Sequence, residues 1–123
     1  MKITDKKTIQ EVQNEFNKKF PFLKIEFYKK AHGEHEGSPD DLKWDTDLTI
    51  GEIRNRTNSG DLSIDGALTV GALENNFSEQ YGLNVQVFHK SGNLWLQTTA
   101  TDEWTLDKQN NKAKDFAEFQ ASK

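Results

Sequence analysis

Apolar residues follow two rhythms along this chain, one every third or fourth position and one every second position, and the rhythms alternate. Ile9, Val12, Phe16 and Phe20 form one stripe at helical spacing, which predicts a helix from about Lys7 to Phe20. Thr8 and Glu11 stand at capping-box spacing, each side chain answering a free backbone N–H at the helix start. Pro21 ends the helix by favouring an extended residue before it. A second stripe, Val70, Leu73, Phe77 and Tyr81, predicts a second helix, closed by Gly82 where left-handed backbone costs least for glycine. After each helix the period drops to two, with Ile25 and Phe27 in one place and Val85 and Val87 in the other. Such alternation marks strands with one buried face and one face left over.

The two stretches are in register. Ile3, Thr8, Ile9, Val12, Asn14, Phe16 and Phe20 align with Ile64, Thr69, Val70, Leu73, Asn75, Phe77 and Tyr81 at a shift of 61. At a shift of 60, Leu23, Ile25, Phe27 and Tyr28 meet Leu83, Val85, Val87 and Phe88, and at 56 Leu48-Thr49-Ile50 meets Trp104-Thr105-Leu106. The expectation is an internal duplication of a strand–helix–strand–strand unit. Residues 1–60 form the first copy with an inserted loop at 31–41, residues 61–109 the second, and residues 110–123 an unmatched helical tail. A half of about 60 residues buries too little surface to stand comfortably alone, so residues 1–123 are read as a single domain. The class is α+β: one mixed sheet, both helices on one face through right-handed crossovers, and a C-terminal helical tail. A ferredoxin-like arrangement is the nearest analogy, at the level of fold only.

Within the second copy, Ser91-Gly92 reads as a two-residue hairpin loop. That register sets Lys90 opposite Asn93, Phe88 opposite Trp95 and Val87 opposite Leu96. Leu42-Lys43-Trp44 is the corresponding strand of the first copy, and Thr49 with Glu52 repeats the capping box ahead of a short helix. Trp44 and Trp104 fall at apolar places in the repeat and are assigned to the core.

Composition narrows the function classes. Of the formal net charge of −4, none arises in residues 1–60, which carry 11 basic and 11 acidic side chains, and all of it in residues 61–123, with 5 against 9. Neither half has the basic excess that holds a phosphate backbone, so nucleic acid is an unfavoured partner. There is no cysteine, which removes disulfides, thiolate nucleophiles and cysteine-ligated metals. No apolar run approaches a membrane span, and the first residues lack the apolar core of a secretory signal. A cytoplasmic location is the expectation.

Candidate chemistry gathers where the repeat is broken. The loop holds His32, Glu34, His35, Glu36 and Asp40 within a few residues, a donor set suited to a divalent metal. It lacks the His-Glu-x-x-His spacing that aims ligands from one helix face. Catalysis finds little support: there is no G-x-S-x-G serine, no phosphate loop, and no carboxylate pair held across a cleft. No resident cofactor is expected apart from that metal option. The sheet face away from the helices carries Tyr28, Phe88 and Trp95, and the tail carries Phe116 and Phe119. Aromatic side chains on an open face engage proteins, or stack on single-stranded bases. The reading is therefore a non-enzymatic domain that binds a protein partner or a second copy of itself. The alternatives are metal binding at the loop and single-strand binding on the aromatic face.

Overall fold

The computed structural model describes residues 1–29, 43–54 and 62–121. Its elements are β1 (Lys2–Ile3), α1 (Ile9–Lys19), β2 (Leu23–Tyr28), α2 (Ile50–Ile53), β3 (Leu62–Ser63), α3 (Val70–Tyr81), β4 (Asn84–Ser91), β5 (Leu94–Gln97) and α4 (Leu106–Ala121), with a short 3-10 turn at Thr99–Thr101. Among the described residues the class is α+β, with four α-helices and two sheets. Among the described residues no helix is long and apolar enough to cross a membrane.

The sheets differ from the single mixed sheet expected. Among the described residues β1 pairs only with β3, and β2, β4 and β5 form a separate sheet in that order, all of these pairings antiparallel. A strand–helix–strand crossover needs its two strands in one sheet, and β1 and β2 lie in different ones. The ferredoxin-like analogy fails on the same point. In both sheets the pairing joins positions that the apolar alignment matches: Lys2 faces Ser63, and Glu26 faces Gln86.

The core lies between the helices and the β2–β4–β5 sheet. Ile9, Val12 and Phe16 from α1 and Val70, Leu73 and Phe77 from α3 close over Leu23, Ile25, Phe27, Val85 and Val87. Phe27 meets Phe77 edge-on at 5.5 Å between centroids, so the two halves share one aromatic centre. The Tyr81 hydroxyl, fully buried, donates to the Ile3 carbonyl and accepts from the Leu62 N–H, each at 3.1 Å. It locks the short β1–β3 pair to α3.

Four similar turns organise the helix starts. The N–H groups of Lys7, Leu48, Leu68 and Trp104 bond back to the carbonyls of Thr4, Asp45, Asp65 and Thr101. Each turn leads into a threonine: Thr8, Thr49, Thr69 or Thr105. The turns then join in pairs. Thr8 bridges Thr49, and Thr69 bridges Thr105. Ile9 N–H bonds to Leu48 O and Ile50 N–H to Lys7 O, while Val70 N–H bonds to Trp104 O and Leu106 N–H to Leu68 O. The orphan donors at the helix starts are therefore satisfied by a neighbouring helix start. This approach is close: Gly71 N–H reaches Asp102 O at 2.6 Å, and a Cβ on Gly71 would lie 3.2 Å from that oxygen.

The open edge of β2 is guarded by α1. Gln13 Nε2 donates to Ile25 O and Asn17 Nδ2 to Leu23 O, both at 2.9 Å, and Trp44 N–H reaches Phe27 O at 3.0 Å. The strand expected at 42–44 is reduced to one bridge between Lys43 and Tyr28, Leu42 lying outside the described residues. The hairpin closes on Gly92-Asn93 rather than Ser91-Gly92. Ser91 pairs with Leu94, Lys90 with Trp95, His89 with Leu96 and Phe88 with Gln97. Gly92 takes φ 60°, the positive value a two-residue loop needs at its first central position.

Candidate functional site

The tail residues become the outer part of α4, which starts among the helix N-termini and runs past the end of β4. Its buried residues, Leu106, Gln109 and Ala113, recur at three and four positions and fix the inward face. Leu106 joins the core. Gln109 Nε2 donates to Thr101 O at 2.8 Å and to Thr101 Oγ1 at 2.6 Å, which ties α4 to the turn after β5. Asn110 Oδ1 accepts from Phe22 N–H at 2.9 Å and ties it to the entry of β2.

Between α4 and the β4–β5 hairpin lies a groove of about 330 Å³. Lys112, Ala113 and Phe116 of α4 line it together with Thr101 and Trp104 and with His89, Lys90 and Ser91 of β4. Lys108 Nζ stands 4.3 Å from the Trp104 ring centroid. Burial lowers the pKa of the His89 imidazole from its ordinary value of 6.5, partly opposed by a backbone hydrogen bond at Lys90. Leu94 and Leu96 face Ser91 and His89 across the hairpin, so they share that sheet face and extend the groove's apolar surface. Among the described residues the large apolar side chains left exposed are Leu94 (65%), Leu96 (43%), Phe116 (43%) and Phe119 (56%). All four belong to β5 and α4.

The residues singled out from the sequence separate. Tyr28, Phe88 and Trp95 lie on the other sheet face, where Lys24 Nζ stands 5.1 Å from the Phe88 ring and 5.2 Å from the Trp95 ring. Tyr28 and Phe88 are buried, at 1% and 6% exposure. A stacking platform needs open ring faces, and only Trp95 of the three is partly exposed. Phe116 and Phe119 belong to the band described above. His32, Glu34, His35, Glu36 and Asp40 lie outside the described residues. Among the described residues no group of three or more His, Asp or Glu side chains converges as a metal site.

A second groove, about 490 Å³, runs beside α3 and carries Glu74, Asp102 and Glu103 with Asn75, Ser78 and Asn84. Its carboxylates do not form a ligand cluster. Trp104, Leu94 and Leu96 were not readable as site residues. Trp104 aligns with Leu48 and so takes a core assignment, while Leu96 changes role only because the hairpin register moves it to the sheet's open end. Trp44 does pack against the core.

No family model, no curated protein and no solved structure matches the chain.

Proposed function

We propose that the chain is a small non-enzymatic interaction domain whose working surface is the band made by β5 and the outer half of α4. The observation that carries this reading is the segregation of exposed apolar side chains: Leu94, Leu96, Phe116 and Phe119 all belong to β5 and α4, Phe116 lines the groove, and Leu94 and Leu96 pair with its lining residues Ser91 and His89. Contiguous exposed apolar surface of this kind marks association sites. The occupant is a protein segment or a second copy of the chain. The same reading takes the fold as two copies of one strand–helix–strand–strand unit, working in the cytoplasm. Its support is the pairwise bonding of four like turns and the pairing of matched positions, Lys2 with Ser63 and Glu26 with Gln86. On that view β5 and α4 are where one copy diverged, since the matched helix α2 is only four residues long.

Polar substitution tests the surface. Leu96→Ser with Phe119→Ser should leave the melting temperature within a few degrees of wild type, because exposed side chains contribute little to folding. It should also reduce binding of an apolar fluorescent dye and any concentration-dependent association seen by sedimentation. A large fall in melting temperature with dye binding unchanged would make the band a structural cover and remove the reading.

A further inference from the structure

We infer that the groove between α4 and the β4–β5 hairpin receives an acidic amphipathic segment of another protein, its apolar face on Trp104, Ala113 and Phe116 and its carboxylates on Lys112 and Lys108. The inference rests on the interaction reading above and names the partner's chemistry.

The argument is one of charge complementarity. Acidic side chains outnumber basic ones in the whole chain, 20 to 16, yet the groove lining holds Lys112 and His89 and no carboxylate, while Lys90, paired with Trp95, turns its side chain to the other sheet face. A second ammonium, that of Lys108, stands over the indole of Trp104, which lines the groove. The acids of α4, Asp107, Asp115 and Glu118, do not line it, and Glu118 lies 4.0 Å from Lys114 on the helix exterior. An apolar trough rimmed by cations suits a segment with an apolar stripe flanked by carboxylates, the helix-in-groove mode of recognition. The charges of Lys108 and Lys112 would contribute to the rate and selectivity of capture, and the apolar side chains of Trp104, Ala113 and Phe116 to its lifetime. A basic segment would set its ammonium groups against Lys108 and Lys112, and like-charge juxtaposition rejects it.

The test uses the full isotope-labelled chain and three amphipathic peptides with one leucine stripe. Their polar faces are all glutamate, all lysine or all glutamine. The glutamate peptide should shift amides at 89–91, 101–104 and 109–116 and bind tightest of the three. Lys112→Glu, at an exposed position, should weaken it by about tenfold or more and improve the lysine peptide. Equal binding of the glutamate and lysine peptides, shifts mapping elsewhere, or no response to Lys112→Glu would overturn the inference. If the same amides move with protein concentration alone, the occupant is a second copy: the inference fails and the interaction reading stands. If neither peptide nor concentration moves them, and Leu96→Ser with Phe119→Ser leaves dye binding unchanged, both fail together.

Discussion

At the scale of single residues, His89 is where environment alters chemistry. Its side chain sits half-buried in the groove lining, opposite Leu96, and burial favours the neutral imidazole. The folded pKa is lowered, so the unfolded chain takes up the proton first as pH falls. Stability is therefore flat above the ordinary value of 6.5 and declines as pH drops from there toward the folded pKa. Urea unfolding from about pH 8 to about pH 5 should show that decline, and His89→Gln should flatten it. The difference between the two curves isolates His89. Matching slopes in wild type and variant would mean that His89 is as well solvated folded as unfolded.

At the scale of elements, the helix starts are the best-written part of the chain. Thr8 Oγ1 accepts from Glu11 N–H at 3.1 Å while Glu11 Oε1 accepts from Thr8 N–H at 3.1 Å, and Thr49 with Glu52 repeats the arrangement. Thr8→Ala should cost about 1 kcal/mol by denaturant unfolding, with Thr8→Ser restoring most of it. If the alanine variant is neutral, the pairing with the Thr49 turn alone holds the start of α1. These starts were legible because a cap is a local device: a threonine, a carboxylate three residues on, and an apolar stripe behind them. Gly82 was legible for the same reason and adopts φ 66°. The hairpin was not. Ser91-Gly92 and Gly92-Asn93 are both acceptable loop dipeptides, and choosing between them needs the rest of the sheet. Choosing the first puts Leu96 beside Val87 in the core; the second keeps Leu96 on the same face but sets it beside His89 at the open end. One step in a loop thus separates a core leucine from a site leucine, and the groove stayed hidden with it. The sheet was misread for a related reason. Periodicity locates strands, but the partner of a two-residue strand such as β1 is decided by long-range bonds like those of Tyr81.

At the scale of the whole molecule, the shared core decides whether the two halves can behave independently. Phe27 belongs to the first half and Phe77 to the second, yet their rings touch. The Tyr81 hydroxyl binds backbone from both halves at once, and α4 reaches from the second half to Phe22 in the first. Opening either half would expose apolar surface on the other, so neither has a separate hydrophobic balance that could keep it folded. Matched deletions of one methylene test this. Ile9 in the first half and Ile64 in the second are both buried, at 0% and 1% exposure, and Ile→Val at such sites costs about 0.5–1.5 kcal/mol. In one cooperative unit, Ile9→Val must weaken α3 as much as α1, and Ile64→Val must weaken α1 as much as α3. Denaturant-dependent hydrogen exchange resolves the amides of both helices, and the slowest amides of each should lose the same free energy in either variant. Loss confined to the substituted half would mean that the halves unfold separately. The Phe27–Phe77 contact would then be an interface between two units rather than the centre of one.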